Sequence, residues 1–395
     1  MPVTPDVVID VTRLIKRFWA GRLPTGVDRV SLAYIDHFKH RACAKISWQG
    51  MSRVFTAAAS QKLFDMLLPW DLTQQRPLQR LTLQAMASMR RAVHAPNAWL
   101  FHTGHSGLEH AHYERGVHRH GLRPLFFIHD LIPITHPQYC RDGEARKHVR
   151  RIRHMVDWSH GLIANSQLTA DTLATYAQQS GQTLPPVLTA HLAPAQWPVY
   201  TGTPPLAEPY FVALSTIEPR KNFSLLMTVW RSLIDELGDK APVLVVIGQP
   251  GWDHPSVLRD LGDTAQWRGK LIWHKQCNDT GLAAWVRHAR ALLFPSFVEG
   301  YGLPVAEALA SGVPVISSDL APIREIAGNT TELLDTQNAA AWRNAVLDYA
   351  QPDSTARRTQ LAKMGALSLP TWGQHFVLVD EFLDKIAHAV PKPSR

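Results

Sequence analysis

Two glutamates eight positions apart flank a glycine-rich turn, and this turn carries the strongest chemical signal in the sequence. Glu299 and Glu307 enclose Gly300, Gly302 and Pro304, between a predicted strand and a predicted helix. Glycine lets a backbone approach a ligand closely, proline suits a first helical turn, and helix N-terminal amides attract anions. The turn can therefore hold a diphosphate, and a carboxylate one turn into the helix can accept hydrogen bonds from two vicinal ribose hydroxyls. For the glycines alone, a tight connection between strand and helix is the simpler interpretation.

A pair of adjacent cations supplies a second candidate anion site. Arg220 and Lys221 follow the predicted strand Tyr210–Leu214 and precede Asn222, a residue type favoured at helix N-caps. Cations at the carboxyl end of a parallel strand are well placed to neutralise a diphosphate. Such a pair is more often solvated surface charge, and its position at a strand end is what favours binding.

The first half of the chain offers polar residues in comparable positions. Gly26 lies in the loop after the first predicted strand, His129 and Asp130 follow the strand Leu125–Ile128, and Asn165 ends a later strand. A lone histidine is more often structural, but a His-Asp pair at the carboxyl end of a strand favours a role in chemistry. Eight histidines fall between residues 102 and 136 without the spacing of a metal site. We expect this stretch to be mostly polar surface.

Strands and helices must position these residues, and the hydrophobic pattern supplies two sets of them. Short apolar strands alternate with helical stretches before and after a proline-rich segment, which is the pattern of parallel α/β sheets. We predict an N-terminal domain over residues 1–195, a linker over 196–209 and a second domain over 210–370. Residues 371–395 contain a closing helix that could pack back onto the first domain.

The composition is that of a globular chain with two or three domains: of 395 residues, 45% are hydrophobic and 19% charged. Three scattered cysteines without CxxC spacing favour neither a disulfide framework nor a zinc cluster, and a reducing compartment fits them. The first thirty residues hold no unbroken apolar stretch, so no signal peptide is expected. No apolar run approaches the length of a membrane span, and we expect a cytoplasmic protein.

Positive charge is concentrated in the first half of the chain. Residues 1–200 hold 23 basic and 13 acidic side chains, whereas residues 201–395 hold 18 and 20, and such an imbalance suggests an anionic partner. The stretch 141–156 predicts an amphipathic helix with Lys147, Arg150 and Arg151 on its basic side and Val149 on its apolar side. An ordinary surface helix is the plainer interpretation. The more specific one is contact with anionic lipid or with a polyprenyl-diphosphate-linked acceptor.

The two candidate anion sites together resemble a known enzyme family. Glu218–Asn222 reads EPRKN, and Pro295–Val315 contains the two glutamates in E-x7-E spacing. These segments resemble the retaining family 4 glycosyltransferases of the GT-B architecture. The resemblance is strong over residues 210–330 and weaker in the first half, where the turn around Gly26 has one glycine and many members have two. It implies an α/β fold with two Rossmann-like parallel-sheet domains facing a central cleft.

The resemblance also assigns roles to the residues of the second domain. It implies that Arg220 and Lys221 bind the donor diphosphate, that Glu299 positions the donor sugar and that Glu307 holds the ribose. The remaining donor-binding residues that it implies are Gly26, Gly300, Tyr301, Gly302 and Leu303.

In the first domain the resemblance places His129 and Asp130 at the reaction centre, with Asn165 lining the acceptor cleft. The implied activity is retaining transfer of a hexose from a nucleotide-diphosphate sugar to a glycan or lipid-linked acceptor, in the synthesis of a surface polysaccharide such as lipopolysaccharide. The EPRKN loop and the residues after His129 are similar to those of mannosyltransferases, which makes GDP-mannose the first donor to test. The sequence lacks a D-x-D motif, so we predict metal independence and no cofactor.

Two other classes of function stay open. An enzyme of the same architecture with different chemistry, such as a nucleotide-sugar epimerase, would need its own acid and base residues. A nucleic-acid-binding protein could use the basic half, but the sequence holds no recognisable nucleic-acid module and no interleaving of aromatic and basic residues. We expect no nucleic-acid partner, and peripheral association with the inner face of the cytoplasmic membrane.

Overall fold

A computed structural model of the chain describes residues 5–48, 50–87, 93, 95–252 and 255–387. These residues form two units, each with its own sheet. The first unit takes its described residues from Met1–Ile134, Gly143–Leu192 and Trp372–Arg395, and the second from Thr135–Asp142 and Ala193–Thr371. No helix in the described part of the chain is long and apolar enough to cross a membrane.

The first unit is built on a seven-stranded sheet. In chain order its strands are β1 (Val7–Asp10), β2 (Ala42–Trp48), β3 (Met51–Val54), β4 (Trp99–His102), β5 (Arg123–Ile128), β6 (Gly161–Ala164) and β7 (Val187–Thr189). In space they run β3-β2-β1-β4-β5-β6-β7, and all neighbouring pairs are parallel except β2 and β3. The carboxyl ends of β1, β4, β5 and β6 therefore share one edge, which is where open α/β sheets bind ligands.

Helices connect these strands, and polar caps fix where two of them begin. The helices are α1 (Thr12–Trp19), α2 (Gly26–Phe38), α3 (Ala57–Leu67), α4 (Gln75–Ala87), α5 (Ala111–His120), α6 (Ile132–Thr135), α7 (Glu144–Trp158) and α8 (Gln167–Gln179). A capping box between Thr25 and Asp28 starts α2, and the Ser166 hydroxyl starts α8 by accepting a hydrogen bond from the Thr169 amide. Both caps follow directly on a loop at the carboxyl edge of the sheet.

The second unit is built on a six-stranded sheet that is parallel throughout. Its strands are β8 (Tyr210–Leu214), β9 (Val243–Ile247), β10 (Leu271–His274), β11 (Leu292–Phe294), β12 (Val315–Ser318) and β13 (Glu332–Leu334). They run β10-β9-β8-β11-β12-β13 in space, so the order reverses between β8 and β11. This reversal is the topological switch point of a doubly wound sheet, and it places the loops after β8 and β11 next to each other.

Both faces of this second sheet are covered by helices, which explains the nearly continuous apolar runs of its strands. The helices are α9 (Phe223–Leu237), α10 (Pro255–Gly262), α11 (Asp279–Arg287), α12 (Leu303–Ala310), α13 (Ala321–Ala327), α14 (Ala339–Ala350) and α15 (Thr355–Met364). Phe211 and Val246 point to one core, which also contains Trp230, while Val212 and Val245 point to the other. The alternation along β8 and β9 thus feeds two separate cores.

The last described helix, α16 (Trp372–Ala387), belongs to the first unit. The Nδ1 of its buried His375 donates to the His191 carbonyl, so Nε2 accepts a hydrogen bond of 3.0 Å from the Tyr34 hydroxyl of α2. Phe376 packs edge-on against the Tyr34 ring. Residues 388–395 of the predicted closing segment lie outside the described residues. The two parallel-sheet units confirm the predicted α/β fold class.

Candidate active site

The glycine-rich turn of the second unit follows β11 and leads into α12. Gly302 has a φ of +118°, a backbone conformation that favours glycine, and a Cβ atom added there would lie 2.5 Å from the Ile323 Cδ1. The turn buries Glu299 and Tyr301, which are 8% and 4% exposed, and α12 buries Glu307 at 6%. Both glutamates therefore lie where a carboxylate needs partners in the protein or in a ligand.

The loop after β8 brings two cations to Glu299. A short 3₁₀ turn, Pro219–Lys221, ends at Asn222, whose φ of +54° directs the chain into α9. The Arg220 guanidinium donates to the Glu299 Oε2 over 2.7 Å, and the Lys221 ammonium donates to Oε1 of the same carboxylate. The Phe297 amide also donates to the Arg220 carbonyl over 2.8 Å, so backbone and side-chain contacts both join the two loops.

The electrostatics of this cluster keep Glu299 ionised. Burial by itself would raise the pKa of the Glu299 carboxyl, but the charges of Arg220 and Lys221 and the hydrogen bonds of Lys221 and Ser296 outweigh it and lower the pKa to about 2. Burial lowers the pKa of Lys221, and the neighbouring Arg220 acts in the same direction while Glu299 opposes them. Glu299 is thus a carboxylate that carries no proton to donate near neutral pH. It pairs with one buried cation, Lys221, and one half-buried cation, Arg220.

The structure gathers the predicted donor-binding residues of the second unit in one place. Gly300, Tyr301 and Gly302 follow Glu299 in the turn, Leu303 is the first residue of α12, and Glu307 lies one turn further on. These residues stand at the switch point of the second sheet. The arrangement can receive a diphosphate at the cations and a sugar or ribose at the carboxylates, although their roles stay predictions.

In the first unit, His129 is held rigidly just beyond β5. It is 9% exposed, and its Nε2 donates to the Thr103 carbonyl over 2.7 Å. Because a carbonyl oxygen can only accept, the proton resides on Nε2 and Nδ1 keeps its lone pair. Burial lowers the pKa of His129. The Asp130 carboxylate accepts a hydrogen bond from the Ile132 amide over 3.0 Å and starts α6.

Asn165 supports His129 from the neighbouring strand. The side chain is buried at 3%, and its amide donates to the His129 carbonyl over 2.8 Å. Parallel strands β5 and β6 end side by side, so the two residues face each other across the ladder. The Asn165 side chain thus holds the backbone of His129, and its place in the acceptor cleft stays a prediction.

Two further histidines extend this group, because His105 lies beside His129 and His148 lies beside His105. The His105 ring centroid lies 5.3 Å from that of His129 and 5.9 Å from that of His148. The Nε2 of His105 donates to the Phe127 carbonyl and that of His148 to the Asp130 carbonyl. Burial lowers the pKa of both rings. Within the stretch 102–136, the expectation of a polar surface was wrong for His102, His120 and His129, which are all buried. The missed signal was that His105 follows β4 as His129 follows β5.

The predicted basic helix forms as α7, but two of its side chains do not lie on the sides that the spacing predicted. Arg151 turns inward and pairs with Glu109 at 3.1 Å and with Glu144 at 2.5 Å. Val149, expected on the apolar side, is 38% exposed. Arg151 is thus removed from the candidate lipid-facing set, while Lys147 and Arg150 remain exposed.

Gly26 is the first residue of α2, in a turn that is already capped. The Asp28 carboxylate accepts hydrogen bonds from the Thr25 amide and hydroxyl, at 2.8 and 2.6 Å. The helix N-terminus thus has a carboxylate of its own where a phosphate was predicted to face it. Among the described residues, no group of histidine, cysteine and carboxylate side chains is arranged to hold a metal ion.

These features define a class of protein: two Rossmann-like units, one of them with an E-x7-E turn and a cation pair at its switch point. Two solved structures share this fold. Anabaena Alr3699/HepE, solved in complex with UDP and glucose, superposes with a TM-score of 0.64 at 12% identity, over 97% of this chain and 100% of that one. A trehalose-phosphate synthase from Burkholderia vietnamiensis gives 0.60 at 12% identity, over 99% and 100%. The GT-B fold prediction is confirmed.

Residues 202–363 match the family described as glycosyl transferases group 1. It is 31% identical to the Escherichia coli serotype-specific mannosyltransferase WbdA over 246 residues, which are 58% of this chain and 30% of that protein. It is 32% identical to the Escherichia coli O-antigen chain mannosyltransferase B, over 61% of this chain and 66% of the relative. The chain thus spans less than a third of the length of the WbdA protein it matches.

Proposed function

We propose that this protein is a retaining glycosyltransferase that moves a hexose from a nucleotide-diphosphate sugar to a glycan or lipid-linked acceptor in surface polysaccharide synthesis. The observation that supports this most is the Glu299 carboxylate between Arg220 and Lys221, at the start of α12 in the group 1 domain. Placing a buried carboxylate between two cations costs desolvation free energy, because all three charges lose contact with water. We infer from this cost that the cluster has a further use. A diphosphate is the ligand that such a cation pair suits.

We propose that different parts of the donor bind to the cations and to the carboxylates of this site. Its diphosphate takes hydrogen bonds from Arg220 and Lys221, which loosens their contacts with Glu299. The freed carboxylate then accepts hydrogen bonds from hydroxyls of the donor sugar, and Glu307 accepts those of the ribose. Guanidinium and ammonium groups bind phosphate oxygens strongly because the hydrogen bonds are charge-assisted. Glu299 thus changes partner on donor binding.

The reaction is proposed to run by attack on the face from which the diphosphate leaves. The bond between the anomeric carbon and the diphosphate oxygen breaks, and that oxygen departs with the electron pair. The acceptor hydroxyl forms the new bond on the same face, and its proton passes to the departing phosphate oxygen. Fixed positive charge at the leaving group stabilises this transition state most, and Arg220 and Lys221 provide it. The proposed reaction uses no metal ion and no cofactor.

Mannose is the proposed sugar and GDP-mannose the proposed donor. The support is that WbdA and the O-antigen chain mannosyltransferase B, both similar to this chain, are named for mannose transfer. Peripheral attachment to the inner face of the cytoplasmic membrane is also proposed, through exposed cations such as Lys147 and Arg150 on α7. Each such cation near an anionic leaflet contributes about 1 kcal/mol.

Ligand-dependent thermal shifts test the donor. The full chain is melted with GDP, UDP, ADP and GDP-mannose, each with and without EDTA; a ligand at 100 times its Kd adds about 2.7 kcal/mol of stability. We expect the largest shift with GDP-mannose and no effect of EDTA. Lys221→Ala should abolish the shift, whereas Lys240→Ala, an exposed lysine of the same unit, should not. A chain that no nucleotide stabilises would refute the proposal.

Incubation with GDP-mannose and a mannosylated acceptor then tests the chemistry. NMR of the product should show an anomeric configuration equal to that of the donor. Inverted product, or epimerised donor without transfer, would each contradict the proposed reaction.

A further inference from the structure

Four buried ionisable side chains contact one another at the carboxyl edge of the first sheet, and the proposed reaction does not use them. Lys45 lies opposite Asp10 where β2 pairs with β1, His102 is the last residue of β4, and Tyr113 comes from α5. Each of the four is at most 5% exposed. We call these four residues the Asp10 network. Charged groups lose hydration on burial, so each of them needs a partner in the protein.

Asp10 accepts most of the hydrogen bonds of the network. Its Oδ2 accepts from the Lys45 ammonium over 2.8 Å and from the Tyr113 hydroxyl over 3.0 Å, and its Oδ1 accepts from the Thr12 amide over 3.0 Å. Burial by itself would raise the pKa of Asp10, but the charge and the hydrogen bond of Lys45 act against it, and the pKa is lowered. The carboxylate is therefore ionised and can only accept hydrogen bonds.

The direction of these hydrogen bonds fixes the position of the proton on His102. The Tyr113 hydroxyl proton points to Asp10, so the Tyr113 oxygen can accept, and it accepts from the His102 Nδ1 over 2.6 Å. Burial lowers the pKa of His102 to about 4, although the Asp10 carboxylate opposes this, so the ring is neutral near neutral pH. His102 thus carries its proton on Nδ1, whereas His129 carries its proton on Nε2.

One residue joins the network to the hydrogen bond that holds His129. Thr103 follows His102 in the chain, and its carbonyl accepts the His129 Nε2 proton over 2.7 Å. The Thr103 hydroxyl lies 2.7 Å from the hydroxyl of Ser31 in α2. The chain is thus anchored before Thr103 by the His102 ring, and the Thr103 side chain is anchored by Ser31. A displacement of either anchor would move the carbonyl that holds the imidazole of His129.

We propose that the Asp10 network positions His129 for reaction by fixing the Thr103 carbonyl, with Tyr113 and His102 as positioning residues. The inference rests on the proposed function, because it needs His129 at the reaction centre. A buried ion pair is weak evidence for stability, and its best-attested use is to select one arrangement of the groups around it. Here that arrangement is a single tautomer of His102 beside a fixed carbonyl, so the Nδ1 lone pair of His129 keeps one direction.

Imidazole NMR of the ligand-free chain tests the network itself. Long-range proton–nitrogen spectra of isotopically labelled protein distinguish the two neutral tautomers of a histidine. We expect the Nδ1–H tautomer for His102 and the Nε2–H tautomer for His129, each assigned by the loss of its signals in a single variant. An Nε2–H tautomer at His102 would overturn the proposal.

Tyr113→Phe removes the link between Asp10 and His102 and keeps the aromatic ring. The His102 Nδ1 must then turn to the Asp10 Oδ2, which lies 3.6 Å away, or lose its partner, and either change disturbs the end of β4. We expect the His129 Nε2–H signal to shift and the kcat of sugar transfer to fall about tenfold, since misplacement of a reacting group is costly. The Kd of GDP should not change. Tyr176→Phe, on α8 of the same unit, is the control and should leave the His129 signal and kcat as in the wild type.

A matched pair of variants at His102 separates positioning from folding, and it decides the question if Tyr113→Phe fails to fold. His102→Asn keeps a donor nitrogen close to the place of Nδ1, whereas His102→Leu has no donor. The first should retain most of kcat and the His129 signal, and the second should lower kcat and shift that signal. Equal loss of kcat in both variants would overturn the proposal, and so would a fall in kcat with an unmoved His129 signal.

Failure of this inference and failure of the proposed function give different results. The tautomers are measured without substrate, so a His102 proton on Nε2 overturns the network while sugar transfer stays intact. A wild-type chain that transfers no sugar refutes the function. The shift of the His129 signal in Tyr113→Phe then decides alone whether the network positions the imidazole.

Discussion

The side-chain amide of Asn165 donates a hydrogen bond to the main-chain carbonyl oxygen of His129, with 2.8 Å between nitrogen and oxygen. The imidazole of His129 is held independently, by its own hydrogen bond to the Thr103 carbonyl at 2.7 Å. Backbone and ring of His129 are thus fixed from two different strands. If His129 acts at the reaction centre as proposed, it must be held within a fraction of an ångström, and the Asn165 side chain would supply part of that support.

Asn165→Ala should therefore lower turnover without changing donor affinity. The substitution leaves the His129 carbonyl without its side-chain donor and frees the loop after β5. We expect kcat to fall at least about tenfold and unfolding free energy to drop by about 1–3 kcal/mol, the cost of an unsatisfied buried group. Gln167→Ala, an exposed amide two residues on, is the control. Unchanged kcat with intact stability would show that the contact serves folding alone.

Glu299→Gln should separate nucleotide binding from sugar transfer. In the ligand-free protein the carboxylate pairs with Arg220 and Lys221, and we propose that a donor diphosphate must displace it from them. Neutralising Glu299 should therefore tighten binding of the nucleoside diphosphate several-fold. Transfer should still fall, about a hundredfold, because the ionised carboxylate is lost as an acceptor for the sugar hydroxyls; an interaction with a charged group contributes about 1.5–3 kcal/mol. Calorimetry and initial rates measure the two effects.

The same variant should also unfold more easily, because it leaves the buried Lys221 and the half-buried Arg220 without the carboxylate that pairs with both. Glu218→Gln provides a matched control: Glu218 contacts Arg220 at 3.2 Å but is 25% exposed, so its loss should have little effect on either measurement. Weaker binding of the nucleoside diphosphate by Glu299→Gln would contradict a competition between carboxylate and diphosphate.

Glu307→Ala should weaken the binding of GDP and leave the binding of inorganic pyrophosphate unchanged. The carboxylate is proposed to contact only the ribose, which pyrophosphate lacks. We expect about a tenfold rise in the Kd of GDP, from the loss of hydrogen bonds to a charged acceptor. Calorimetry with both ligands checks the role, and equal affinity of variant and wild type for GDP would remove Glu307 from the ribose site.

Local sequence was sufficient to locate the second site and insufficient to describe the first. The turn around Gly302 and the EPRKN loop carry their chemistry in contiguous residues, so strand ends and residue types predicted both. The contacts of Asn165 with His129 and of Asp28 with Arg13 join residues 36 and 15 positions apart, and no local pattern specifies them.

Charged side chains illustrate the same limit. Helical spacing placed Arg151 on the same side of α7 as Lys147, because spacing fixes the direction of a Cβ atom and not the partner of a long side chain. In the structure its guanidinium finds Glu109, 42 positions away, and is withdrawn from the surface. The number of histidines in residues 102–136 predicted a polar surface, and it failed for a similar reason. A histidine whose Nε2 donates to a backbone carbonyl can be buried as a neutral group.

The last prediction concerns the histidines of the first unit whose pKa is lowered. We expect the first unit to lose stability as the pH falls below neutral. Burial lowers the pKa of His102 to about 4, and it also lowers the pKa of His105, His129 and His148. In the unfolded chain a histidine titrates near 6.5. Between these limits the unfolded state binds protons that the folded state refuses, so the stability present above about pH 6.5 declines as the pH decreases.

Each such histidine should contribute up to about 1.4 kcal/mol of lost stability per pH unit within that window. Urea unfolding at half-unit steps from pH 7.5 to 5, followed by near-ultraviolet circular dichroism, measures the slope. His148→Gln should flatten the slope by about one proton, whereas His118→Gln, at a side chain that is 69% exposed, should leave it as in the wild type. If His148→Gln shows the wild-type slope, then His148 takes up its proton in the folded protein. Its burial on the inner side of α7, against the Asp130 carbonyl, would then not keep it neutral.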